Sequence, residues 1–258
     1  MIHPTAVIAA DAILGNNLQI GAFAVIESNV EIGDNCQIDA HAVIRRFVKM
    51  GQNNHVHPHA VLGDLPQDIH FEAETLSWLT IGDRNVFREG VTAHRASIKN
   101  SATQIGSDNY FMNHSHIAHD CVVGNHSIFA NSVAIGGFVE VGDRVFIGGA
   151  AVAHQFCRIG SYAMIQGTSG LNKDVIPFTL VGGRPAKHYR LNTVGLRRAG
   201  ITGEAYRTLS AAFRLLKKKQ SLDSLIETDE LRYLKQWLAA PSKRGIQNFI
   251  EIYNSDEE

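Results

Sequence analysis

A chain of 258 residues that is 45 % hydrophobic can bury a sizeable core, and its formal net charge of −1 argues against a partner recruited by overall charge, nucleic acid included. No apolar run reaches the ~18 residues of a membrane span and no charged-then-apolar leader follows Met1, so the expectation is a cytoplasmic protein without a membrane span. Cys36, Cys121 and Cys157 are too scattered for a disulfide framework or a CxxC metal site.

In chain order, the first element is a stride. Ile2, Ile8, Leu14, Ile20, Ile26, Ile32, Ile38, Ile44, Met50, Val56 and Leu62 recur every six residues. The stride returns at Ile81, Phe87 and Ala93 and runs from Ile105 to Leu171. A period of six fits neither a helix nor strand alternation, and therefore predicts a solenoid. The fourth residue after each anchor is usually small, and all three cysteines occupy that slot, which reads them as fillers of a narrow interior. Three hexads make one triangular coil of parallel strand, and flat stacked faces favour trimers with clefts between neighbouring prisms.

Two interruptions predict external loops, near 63–80 and 95–104. From Leu62 to Ile81 is nineteen residues without regular anchors. Lys99 then stands where an apolar anchor is due, although the count resumes in register. Beyond Leu171 the pattern becomes a turn-rich exit around Pro177, Gly182, Gly183 and Pro185. Short helices are expected at about 192–199, at 203–219 with Thr202 as N-cap, at 229–239 opened by Asp229, and at about 243–253. The domains expected are thus 1–175, the solenoid, and 176–258, a helical tail. Ten Lys/Arg residues and a single acid, Glu204, lie between Arg184 and Lys219, either a solvated face or a dock for phosphates or an acidic partner.

The densest polar stretch is MNHSHIAHDCVVGN, with His114, His116, His119 and Asp120 in seven residues. One coil of eighteen residues past His119 is Gly137, and a second reaches Gln155 beside His154. At roughly 4.8 Å per coil these groups share one patch of wall. A base beside an unblocked backbone N–H suits acyl transfer, in which a hydroxyl attacks a thioester and an oxyanion develops.

The hexapeptide stride over about residues 1–175 resembles the left-handed parallel β-helix family, whose handedness is carried by the resemblance. HIAHDC, AHQFCRIG, QDIHF, IGDRNVFREGVTAHR and LNTVGLRRAG together resemble the UDP-N-acetylglucosamine O-acyltransferases that open lipid A biosynthesis. That resemblance implies transfer of a 3-hydroxyacyl chain from acyl carrier protein to the sugar 3-position by a homotrimer, without metal or organic cofactor. It implies His119 as general base, Asp120 as its orienting partner and the Gly137 N–H as oxyanion donor. It further implies that Gln67, Asp68, His70, His94, His116, His154, Gln155, Asn192 and Arg198 bind substrate, and that Gly167 limits the acyl chain. Four positions depart from the family's pattern: His70 for a lysine, Phe138 for a histidine, Val194 for a glutamate and Ala199 for an arginine. A paralogue acting on a 3-amino UDP-sugar therefore stays open. So do a γ-carbonic-anhydrase-like zinc enzyme using His55, His57, His59, His114, His116 and His119, and a non-catalytic hexapeptide scaffold.

Overall fold

The structure, a computed structural model, describes residues 1–250. Among the described residues the chain winds as a left-handed parallel β-helix, followed by a hairpin and three helices. Each coil contributes one short strand to each of three parallel sheets of nine, eight and ten strands; the tenth strand of the third sheet runs antiparallel. The chain visits the first, second and third sheets in turn, so three edges run the length of the prism.

The stride explains the packing. Val25 pairs with Val43 and Ile26 with Ile44, an offset of eighteen that aligns each anchor over the last. From Ile20 to Leu171 the anchors form one continuous buried core, with Phe87, Phe111 and Phe129 stacked along its middle. The small slots face the same interior. Burial pushes the Cys121 thiol up to about 12 and Cys157 to about 11, so both act as small apolar fillers. At most corners one residue takes a left-handed backbone conformation, which Asn, Asp and His tolerate best; Asp120 has φ 58°.

Both loops leave the edge between the first and second sheets. Leu79 pairs with Val48, thirty-one positions back instead of eighteen, so thirteen residues are inserted between the strands Val61–Asp64 and Trp78–Ile81. Thr103 pairs with Leu79 twenty-four positions back, so the second insertion is six residues. That is one hexad, which is why the stride resumes in register across it.

The exit differs from its sequence reading. Thr179–Gly183 continues the third sheet in parallel with Met164 and Ile165, and Ala186–Leu191 folds back antiparallel on it. Helix α1 spans Thr193–Arg198, α2 Gly203–Lys217 and α3 Asp229–Ala239. Thr202 occupies the N-cap of α2 without a side-chain bond, whereas Thr228 caps α3 through the Leu231 N–H. The fourth expected helix is absent from 243–250, and the rest of that span lies outside the described residues. Gly245 is left-handed there, and the backbone bonds instead to Asp174 and His188. The tail has its own apolar core around Phe178, Leu196, Leu209 and Leu231. It is tied to the last coils by Arg158, which donates to Asp174 at 2.8 Å and lies over the Trp237 ring.

Candidate active site

His119 and Asp120 follow the strand His116–Ile117 at the edge between the first and second sheets. The His119 Nδ1 lies 2.8 Å from Asp120 Oδ2. The same carboxylate oxygen accepts the Ser97 N–H at 2.9 Å and the Ser97 hydroxyl at 2.6 Å, and the Asp120 N–H donates to Thr103 Oγ1 at 2.7 Å. Burial raises the Asp120 pKa, but the bonds from His119 and Ser97 outweigh it and hold the carboxyl below its ordinary value. An ionised Asp120 fixes the proton of His119 on Nδ1 and leaves Nε2 as an acceptor. Ser97 is a residue that sequence reasoning missed. It stands on the second loop, where spacing carries no information about contacts.

Gly137 lies one coil on, directly against the imidazole. A β-carbon built there would sit 2.6 Å from His119 Cε1 and 2.8 Å from Nε2, so only glycine fits beneath the ring. Among the described residues the Gly137 N–H donates to no protein acceptor. Phe138 meets the His119 ring edge-on at 5.4 Å and stacks on Phe156. Alanine at 137 should displace the ring, and misplacing a reacting group by about 1 Å costs about 10²-fold. Gly137→Ala is thus expected to lower kcat while the melting temperature stays unchanged, because Gly137 does not use a left-handed conformation; kinetics and thermal melts together check this.

His94 and His116 stand beside this pair, their rings 4.8 Å apart and edge-to-face. Burial, reinforced by His94 and His119, pushes His116 down to about 4, and burial lowers His94 as well. Both are neutral near pH 7 and can offer hydrogen bonds but no charge. His116 Nδ1 lies 2.8 Å from Thr92 Oγ1. The buried atoms His94 Nδ1 and Asp120 Oδ1 have no protein partner among the described residues, which leaves bonding capacity facing this edge.

His154 and Gln155 lie on the same edge and are exposed. Next to them a largely apolar groove of about 340 Å³ runs over the first sheet, lined by Val152, His154, Leu171 and Arg184. Gln67, Asp68 and His70 stand exposed on the first loop, near a fully presented Ile69. Arg95 holds that loop down. Its buried guanidinium donates to Thr75 and Ala73 carbonyls and packs between Phe47 and Phe71.

The remaining expected residues lie on other edges. Gly167 is at the edge between the third and first sheets, where a β-carbon would lie 3.2 Å from the Gly149 carbonyl oxygen. It is Thr168 that adopts the left-handed conformation at that corner, so backbone strain does not account for the glycine. Asn192 sits at the edge between the second and third sheets, capping α1 through Gly195 and donating to the Tyr162 carbonyl. Arg198 closes α1, and Val194 is exposed on it. The zinc-enzyme reading fails on geometry among the described residues. His55 and His57 gather with Asp39 on a different edge from His119, and His114, His116 and His119 do not join them.

Comparison with known proteins agrees with this architecture. Residues 29–64 and 102–137 match the bacterial transferase hexapeptide family, so the class is a transferase built on hexapeptide repeats. Residues 174–255 match domain 2 of UDP N-acetylglucosamine O-acyltransferase. An acyl-[acyl-carrier-protein]–UDP-N-acetylglucosamine O-acyltransferase from Aliarcobacter butzleri is 42 % identical over 95 % of this chain and 97 % of its own. One of the same name from Halorhodospira halophila is 44 % identical over 84 % of each. The solved structure of LpxA from Acinetobacter baumannii superposes with a TM-score of 0.89 at 36 % identity, covering 96 % of this chain and 99 % of that one. The UDP-N-acetylglucosamine acyltransferase from Campylobacter jejuni gives 0.86 at 34 % identity over 97 % and 100 %. The chain belongs to the acyl-[acyl-carrier-protein]–UDP-N-acetylglucosamine O-acyltransferase family and is an acyltransferase of lipid A biosynthesis. Among the described residues no helix is long and apolar enough to cross a membrane.

Proposed function

We propose that this enzyme transfers a 3-hydroxyacyl chain from acyl carrier protein to the 3-hydroxyl of UDP-N-acetylglucosamine, the first step of lipid A biosynthesis, in the cytoplasm. The observation that carries the mechanism is the His119–Asp120 pair lying against Gly137. His119 Nε2 takes the proton of the attacking sugar hydroxyl as its oxygen bonds to the thioester carbonyl carbon. The Gly137 N–H meets the oxyanion. Collapse expels the carrier thiolate, which recovers the proton from His119. His94, His116, His154, Gln155 and the first-loop residues Gln67, Asp68 and His70 hold the substrates around that centre.

The site residues occupy three different edges of one prism, so a single chain cannot gather them around one substrate. The reading therefore includes a homotrimer, in which a neighbour's edge would bring Asn192 and Arg198, or Gly167, to the cleft beside His119. Carrier protein and nucleotide are both anionic. The basic run from Arg184 to Lys219 forms no ion pair with a described carboxylate and is available to either.

A second acceptor is favoured by particular residues. Phe138 packs on the base where the family pattern has a histidine, and the exposed Val194 cannot accept a hydrogen bond from a nucleotide sugar. The test is transfer by the purified enzyme from hydroxyacyl carrier proteins of several lengths to UDP-N-acetylglucosamine and to its 3-amino analogue. An O-acyl product on the first is expected. Amide product alone would reassign the acceptor, and no transfer to either would overturn the proposal.

Gly167 is proposed to leave the far end of the acyl groove open. Gly167→Met should therefore shift preference toward shorter donors, by about 1–3 kcal/mol for each methylene excluded. A kcat/KM series over donor lengths checks this; an equal fall for all donors would assign Gly167 a packing role.

A further inference from the structure

On the edge between the third and first sheets, on another side of the prism from His119, three side chains of two successive coils converge that the proposed acyl transfer does not use. Asp39 follows the strand Gln37–Ile38, and one coil later His55 and His57 flank Val56. His55 Nε2 lies 2.9 Å from Asp39 Oδ2, and His57 Nδ1 lies 3.5 Å from the same oxygen. One ligand atom from each of the three residues falls within 4.8 Å of the others. Donors at 2.0–2.1 Å around a tetrahedral ion are about 3.3 Å apart, so Asp39 Oδ2 already stands near ligand spacing from both rings.

We propose that Asp39, His55 and His57 form a binding site for a borderline divalent cation of the Zn²⁺ type. Two imidazoles and one carboxylate suit such an ion, whereas Mg²⁺ and Ca²⁺ prefer all-oxygen sites. The surroundings resemble the outer support of a metal site. Gln37 Nε2 donates to Asp39 Oδ1 at 2.7 Å, which turns Oδ2 toward the two rings. The rings stack at 3.9 Å and 25°, so on binding one ring turns to bring its in-plane nitrogen lone pair onto the ion. Glu89, one coil further on, has Oε1 4.0 Å from His57 Nδ1 but both its oxygens engaged by Arg88, which leaves the fourth position to water. An ion here would clip adjacent coils together, a structural role separate from the transfer chemistry.

The test uses full-length protein stripped with a chelator. Titration with Zn²⁺ by calorimetry, and with Co²⁺ by its visible absorption, should reveal one equivalent per chain and a tetrahedral cobalt spectrum, while Mg²⁺ gives neither. Asp39→Asn and His57→Ala should each weaken binding by more than the about 10–100-fold that loss of an outer partner costs. Zn²⁺ should raise the melting temperature of the wild type and not of these variants, whose metal-free melts report whether they fold. If a variant misfolds, His55→Gln replaces it. Absence of saturable uptake, or uptake unchanged by these substitutions, would overturn the site.

Discussion

Replacing His119 with alanine is expected to lower acyl transfer by about 10²–10⁴-fold, the loss that follows removal of a positioned base. The fold should survive. The ring packs on the Gly137 surface at a corner, outside the stack of anchors that holds the coils, and its neighbour Ile117 carries the core contact. Steady-state kinetics on purified protein, alongside thermal melting and the oligomeric state, makes the measurement. A correctly assembled mutant that keeps more than about a tenth of wild-type activity would remove His119 from the mechanism.

Asp120→Asn should cost a comparable factor by a different route. The carboxylate accepts from His119 Nδ1 and from both Ser97 donors, so every bond it makes asks for an acceptor. An asparagine can meet these three donors only with its amide oxygen, so it holds the ring but lacks the negative charge that stabilises the imidazolium formed when His119 takes the sugar proton, and the expected loss is about 10²–10⁴-fold in kcat with KM little changed. Ser97→Ala removes one of the three bonds, that of the hydroxyl, and leaves the backbone N–H and the carboxylate, so its effect should be smaller than that of Asp120→Asn. Should Asp120→Asn act mainly on KM, the residue would be a substrate contact and not the orienting partner of the base.

Much of this was legible in the residues because a solenoid repeats its own environment. An anchor at every sixth position means the same thing in each coil, and an offset of eighteen in sequence is a neighbour in space. Gly137 beneath His119 could thus be found by counting, as could Gln155 one coil further. Counting stops where the coil is left. The six-residue insertion keeps the stride, so it could be suspected only from Lys99, and its delivery of Ser97 to Asp120 could not be counted. The hairpin at 179–191 and the irregular path after Ser242 were likewise hidden, since their backbone bonds are made to distant partners such as Val181 with His188 and Asp174 with Ile246.

By itself, then, the sequence determined the solenoid, its interior, its two interruptions and the column of His119, Gly137 and Gln155, because each depends on a periodic local rule. Only the tertiary structure decided which edge each remaining group occupies. Asp39, His55 and His57 meet on one edge, Asn192 and Arg198 lie by another, and the column of His119, Gly137 and Gln155 runs along a third. That division follows from three sheets meeting at fixed angles. Residues a few positions apart in the chain are turned toward different sides of the prism, and residues eighteen apart are turned toward the same one.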